Sequence, residues 1–312
     1  MTERLHLHDS KPSSVLITGP VAFDSIITPY HQIEKVLGGS VSYAALAASY
    51  FTKPYILGVV GEDFNETYIN IFTKRGIDVS GLEKIVGEKT FFWKGRYFED
   101  FNKRETLTID LNVFEKFQPK PSDELAQLPY VFLGNTDPEL QLGMLDALKG
   151  DPFVVVDTID LWIKKKRDVL LQVLKRANLL LINDVEACAL AQEGSVIVAG
   201  YKLRELGART VVIKKGEHGS LLFHESGIFS MPSYPVVSLK DPTGAGDTFA
   251  GALIGYLAAV NKQDFFNLKH AVVYATAVAS LAVEDLSCKN IESVRPKLIE
   301  ERYEALINMT TF

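Results

Sequence analysis

The stretch "SLKDPTGAGDTFAGALIGYLAAV", residues 238–260, decides how the chain is read. Pro242, Gly244 and Gly246 fall within five positions, Asp247 follows at once, and a small, apolar run continues to Val260. The run predicts a buried helix with a glycine turn at its mouth. A helix's first turn leaves backbone N–H groups without intrahelical acceptors, and the macrodipole adds partial positive charge there. Glycines let an anion such as phosphate approach those amides closely. A carboxylate beside such an anion would be repelled by it. Its use is to accept the proton of a hydroxyl that attacks a phosphoryl group. Asp247 also reads as an N-cap behind a tight turn, so the rest of the chain must weigh on the choice.

The 312 residues fit one large α/β domain or two smaller ones. A composition of 47% hydrophobic and 23% charged residues is that of a folded globular protein rather than a disordered one. The net charge of -6 gives no general attraction to nucleic acid or to an anionic membrane. Two cysteines, Cys188 and Cys288, exclude a disulfide framework and a thiolate metal site, and suit a reducing compartment. The opening "MTERLHLHDSKPSS" has no apolar core of a secretory signal, and "AVVYATAVASLAV" (271–283) is too short to span a bilayer. A cytoplasmic protein is expected. His6 and His8 read as a polar tail rather than a metal site.

Short apolar runs at 14–19, 55–61, 130–134, 153–157, 178–183 and 210–215 predict strands buried on both faces. Helical spacing fills "GGSVSYAALAASYF", "NETYINIFTKRG", "ELQLGMLDALKG" and "KKRDVLLQVLKR" between them. This alternation predicts a doubly wound, mostly parallel sheet flanked by helices. Segments 23–36 and 89–117 break the rhythm with β-branched and aromatic residues. They predict strands outside the main sheet that pair into a small β-sheet lid, within a single domain over 1–312. "KKKR" (164–167) reads as a solvated helix start. The aromatics of "FFWKGRYF" read as burying the lid against a neighbour or a second subunit. There is no GxxxxGK[ST] loop and no strand-adjacent GxGxxG, which excludes a P-loop and weighs against a dinucleotide-binding oxidoreductase.

"DPTGAGDTFAGALIGYL" resembles the C-terminal signature of the ribokinase-like (PfkB) family of sugar and nucleoside kinases, and further landmarks follow in order. "ITGPVAFDSI" resembles the first strand with the substrate-binding Asp, here Asp24. "LGGSVSYAALAASYF" resembles the Gly-Gly signature, here Gly38 and Gly39. "GVVGEDFNETYINIFTKRGID" resembles the family's G-x-D segment with its helix. "LLLINDVEA" carries an N-x-x-E motif as Asn183 and Glu186, and "VVIKKGEHGSLLF" resembles the strand–turn–strand beside the nucleotide, with Lys215, Gly216 and Gly219 in the turn.

The resemblance implies an ATP-dependent, Mg2+-requiring kinase with Asp247 as base and the amides of Gly244, Ala245 and Gly246 as anion hole. It implies Asn183 and Glu186 at the magnesium and phosphates, partly through water, although the pair also suits a strand end and helix start. Asp24, Gly38 and Gly39 would meet the acceptor, and Asp241 and Thr243 match a monovalent-cation (K+) position. Tyr43 stands where the family usually places a substrate-touching Asn, so it is expected on the pocket wall. Thr276 stands where many relatives have an Asn near adenine. Asp157 and Trp162 are kept in "VVVDTIDLWI", without the Arg common nearby. The expected reaction is phosphorylation of a hydroxyl, such as a hydroxymethyl, of a sugar or sugar-containing molecule. The alternatives are a nucleoside kinase and a non-catalytic sugar- or nucleotide-binding regulator. A homodimer through the lid is the expected assembly.

Overall fold

The computed structural model describes residue 5 and residues 12–311; His6 and His8 lie outside them. The chain enters through β1 (Val15–Thr18), then leaves for the hairpin β2 (Ala22–Ile27) and β3 (Gln32–Gly38) before helix α1 (Ser40–Ala48). Strand β4 (Pro54–Gly61), α2 (Glu66–Lys74) and β5 (Asp78–Ile85) precede a second hairpin, β6 (Phe91–Tyr97) and β7 (Arg104–Asp110). Alternation follows through β8 (Tyr130–Leu133), α3 (Pro138–Ala147), β9 (Phe153–Asp157), α4 (Asp160–Lys165) and α5 (Arg167–Arg176). It continues through β10 (Leu179–Asn183), α6 (Asp184–Ala191), α7 (Val196–Glu205) and β11 (Thr210–Lys214). The hairpin β12 (Ser220–His224) and β13 (Gly227–Met231) leads to α8 (Ala245–Val260), α9 (Phe265–Ala282), α10 (Lys289–Ser293) and α11 (Pro296–Thr310).

The large sheet has nine strands in the order β13-β12-β11-β10-β9-β8-β1-β4-β5. It is parallel from β11 to β5, with β12 and β13 antiparallel at one edge. Strand β1 lies between β4 and β8, so the chain winds outward in both directions from it. In open α/β sheets, ligands gather at the carboxyl ends of the strands around such a reversal. The apolar runs all became strands, because both sheet faces are covered. Strands β5 and β13 are edge additions with charged or alternating residues, so neither reads as an apolar run.

Segments 23–36 and 89–117 form a separate four-stranded sheet, β3-β2-β6-β7, joined by parallel pairing of β2 with β6. Phe91 stacks on Phe114 at 5.7 Å, and Phe114 on Phe117, so part of the aromatic run anchors this sheet to the following 3-10 turn. "KKKR" does reach a helix start, with Lys166 as N-cap and Arg167 opening α5, but its first two lysines close α4. There Lys166 Nζ lies 2.7 Å from both Asp137 and Glu139 at the mouth of α3. The small residues of α8 allow a close crossing with α1. A Cβ on Gly251 would stand 2.1 Å from the Ala44 carbonyl oxygen, and one on Gly255 would stand 2.9 Å from Ala48 Cα. Among the described residues, no helix is long and apolar enough to cross a membrane.

Candidate active site

Gly244 is the N-cap of α8 in the left-handed region (φ 71°), and a Cβ there would strike the Tyr43 ring at 2.3 Å. The turn holds itself together, with Ala245 N–H donating to the Pro242 oxygen at 3.2 Å and Thr248 N–H to the Gly244 oxygen at 2.8 Å. The Ala245 amide, expected in the anion hole, is engaged inside the turn in this structure. Asp247 follows in the first helical turn. Burial raises its pKa to about 7, Asp157 adds to the rise, and Lys214 and Arg104 oppose it.

Lys214 ends β11 and is the register partner of Asn183 at the end of β10. Its Nζ lies 3.2 Å from Asp157 Oδ2, at the end of β9, and a Cβ on Gly246 would stand 3.1 Å from that Nζ. The ammonium therefore hangs over the mouth of α8. Burial disfavours its charge, but Asp157, Glu186 and Asp247 outweigh burial and hold its pKa above the ordinary value. Asn183 and Glu186 form a capping box on α6. Glu186 N–H donates to Asn183 Oδ1 at 2.8 Å, and Asn183 N–H donates to Glu186 Oε2 at 3.1 Å. The strand-end reading of this pair is correct as geometry, and the carboxylate is still buried among charges. Burial first, then Asp157, raises the Glu186 pKa to about 7.

Asp24 enters from β2 and is buried. A Cβ on Gly38 would stand 2.1 Å from its carboxylate, and a Cβ on Gly39 would stand 2.4 Å from the Pro20 oxygen. Gly38 thus makes room for Asp24, and Gly39 (φ 81°) opens α1. Burial raises the Asp24 pKa to about 7, with a hydrogen bond from the Gly39 backbone opposing and Asp241 and Asp247 adding to the rise. Asp24 pairs in register with Trp93 on β6, whose ring lies against Gly95: a Cβ there would meet the ring at 2.1 Å. Trp93 Nε1 donates to Thr106 Oγ1 at 3.2 Å.

A carboxylate at a glycine-rich helix mouth, a buried lysine over the same mouth, and a second carboxylate facing it from another sheet suit phosphoryl transfer to a hydroxyl. The pfkB family carbohydrate kinase profile matches residues 18–294. The chain belongs to the pfkB family of carbohydrate kinases. A cytidine kinase of Thermococcus kodakarensis is 28% identical over 250 residues, covering 78% of this chain and 88% of the relative. The solved nucleoside kinase of Methanocaldococcus jannaschii superposes with a TM-score of 0.76 at 20% identity, covering 94% of this chain and 98% of that one. A ribokinase II of E. coli in complex with ATP and Mg2+ superposes at 0.77 and 21% identity, covering 94% and 99%. This pfkB kinase therefore has the ribokinase fold and is a phosphotransferase acting on a hydroxyl of a sugar or nucleoside.

Several expected site residues of the pfkB kinase sit differently from their motif reading. Tyr43 is 1% exposed, so it does not wall an open cleft. Its ring supports Gly244 from beneath, because the α1–α8 crossing is tight enough to seal it in. Thr276 donates its hydroxyl to the Val272 oxygen at 2.8 Å within α9, so that donor is not offered to a base. Asp241 accepts from Thr243 N–H and from Ser287 N–H, each at 2.9 Å, which ties the turn to the 287 region. Thr243 Oγ1 donates to the Tyr97 hydroxyl of β6 at 3.2 Å. Gly216 (φ 54°) and Gly219 (φ 80°) shape the turn after β11, closed by Lys215 N–H donating to the Gly219 oxygen at 2.8 Å. Lys215 makes no ion pair among the described residues. Lys214, one position earlier, carries the buried charge.

Proposed function

We propose that the pfkB kinase uses ATP to phosphorylate the hydroxymethyl group of a nucleoside, working as a single domain with the small sheet as lid. The observation that carries the transfer chemistry is Asp247 in the first turn of α8 with Lys214 over the same mouth. Asp247 accepts the acceptor proton, while the Gly244 and Gly246 amides and Lys214 hold negative charge on the phosphoryl group. Asp24 accepts hydrogen bonds from acceptor hydroxyls. Lys215, Gly216 and Gly219 line the nucleotide.

The residues fit Mg2+ as a nucleotide-borne ion. Glu186 keeps one carboxylate oxygen beyond its capping bond, and a cation would relieve the burial that raises its pKa. Among the described residues no acidic, His or Cys group could hold a metal unaided, so phosphates and water would complete the shell. Bound there, the ion would neutralise phosphate charge. Asp241, buried with both oxygens on amides, retains lone pairs for K+ beside the turn.

Trp93 favours a nucleoside over a simple sugar, because a flat indole in register with Asp24 offers a base a stacking surface. The cytidine kinase relative agrees with that reading. Phe98, Leu107, Ile109 and Leu111 leave the small sheet with exposed apolar surface, which a second copy would cover through the lid. A panel of nucleosides, pentoses, hexoses and sugar phosphates, assayed for ADP release, tests the substrate. Nucleosides should give the highest kcat/KM, and a free sugar outrunning every nucleoside would overturn the assignment.

A further inference from the structure

Strand β7 opens with Arg104, the register partner of Tyr97 on β6. Register partners share a sheet face. Arg104 therefore lies on the face from which Tyr97 meets Thr243 of the glycine turn at 3.2 Å. Its guanidinium carbon also stands 5.9 Å from the centre of the Trp93 ring, and Trp93 pairs with Asp24. The guanidinium is thus placed between the turn before Asp247 and the acceptor carboxylate. Arg104 is exposed in area, and its guanidinium lies on the sheet face that carries Tyr97 and Trp93. The hairpin extends further: a Cβ on Gly216 would stand 3.0 Å from Asn102 Oδ1, so its turn reaches the nucleotide loop as well.

The charge balance indicates what a cation does here. Asp24, Asp157, Glu186 and Asp247 are all carboxylates, and Lys214 approaches them from the main sheet. Arg104 answers it from the lid side, where Asp24, Glu186 and Asp247 all feel its charge. Burial disfavours the guanidinium's charge, but Tyr97, Glu186 and Asp247 outweigh it.

We propose that Arg104 is a catalytic residue: with the hairpin docked, its guanidinium donates to the oxygens of the transferring phosphoryl group. Tyr97, through Thr243, positions it. The inference rests on the site placement given under the proposed function. In the step, the acceptor oxygen bonds to the γ-phosphorus as the bond to the bridging oxygen of ADP breaks. The hydroxyl proton passes to Asp247, and Arg104 keeps its protons throughout. Charge spread over the equatorial oxygens would be held by Lys214 from one side and by a planar two-pronged donor from the other.

The test uses the full chain with Mg·ATP and the best acceptor of the panel, comparing Arg104→Ala, Arg104→Lys, Tyr97→Phe and Asp247→Asn. Arg104→Ala should lower kcat by about 10²-fold while each KM stays within about threefold. Arg104→Lys keeps the charge but not the fork, so it should recover only a small part, and it carries the test if the alanine variant does not fold. Added guanidinium at millimolar concentration should raise kcat in Arg104→Ala and leave Asp247→Asn unchanged. Tyr97→Phe should lower kcat by about tenfold with ADP affinity unaltered. Normal kcat in Arg104→Ala, or a loss confined to the acceptor KM, would overturn the inference. If Asp247→Asn is inactive while Arg104→Ala is not, only this inference fails. If Asp247→Asn also turns over normally, the site placement itself fails.

Discussion

Asp247, the proposed base, sits in surroundings that oppose each other. Burial and Asp157 push its pKa up to about 7, while Lys214 and Arg104 stop it rising further. A base that titrates near the working pH can take the acceptor proton at a useful rate. The kcat/KM of the kinase should therefore fall as pH drops below about 7. Asp247→Asn should lose at least about 10²-fold in turnover and should also lose that acid limb. A pH–rate profile of both proteins measures this, and an unchanged limb in the variant would assign it to another group. Asp247 was legible because a glycine-flanked acid before an apolar run is unusual chemistry for a turn. Lys214 was not: "KK" before a glycine does not say which lysine ends the strand. Only the register with Asn183 shows which side chain turns inward. Tyr43 was misread for a related reason. Sequence places it after the Gly-Gly pair but cannot show that α8 seals its ring beneath Gly244.

At the scale of elements, the small-residue run of α8 serves packing as much as chemistry. Gly251 lies one helical turn beyond Asp247 and meets the α1 backbone at Ala44. Gly251→Ala should cost about 1–3 kcal/mol of stability, because a Cβ there must push α1 away. Since α1 carries Tyr43 under Gly244, turnover should fall as well. Urea unfolding of the variant checks this, and unchanged stability would mean that the helices part freely. The glycine turn has its own tether through Asp241 to Ser287. A K+ ion held at Asp241 would stiffen it, so K+ should raise kcat above the value in a bulky organic cation. Equal rates in both salts would remove the ion. The apolar strands and the pairing of two distant segments into a small sheet were readable from hydrophobic pattern alone. The edge strands β5 and β13 were not, since half-exposed edges carry no such pattern.

Taken whole, the molecule encloses its acids between two sheets. Asp24 comes from the small sheet, and Asp247 and Glu186 come from the helix mouths of the large one. Each has its folded-state pKa raised to about 7, with burial as the largest cause. Such a group binds its proton more tightly when folded than unfolded, where carboxylates titrate near 4. Between those values the folded state holds more protons, so stability falls as pH rises, and the fall levels off above about 7. Asp63, Asp78 and Asp160 have lowered pKa values, so their stability contribution is present above pH 4 and is lost only below it. His224, lowered by burial, acts in the opposite sense: its contribution is present above the ordinary imidazole value of about 6.5 and is lost as pH falls below it. A difference between proteins removes these common contributions. Asn cannot ionise, so Asp247→Asn should gain stability relative to the native chain, and the gain should grow from pH 5 to about pH 7 and level off above it. Thermal unfolding of both proteins without nucleotide, at matched ionic strength, measures it. A gain that is flat or shrinking over that interval would mean that Asp247 is ionised throughout. It would then be a fixed charge beside the anion hole rather than a base poised to accept a proton.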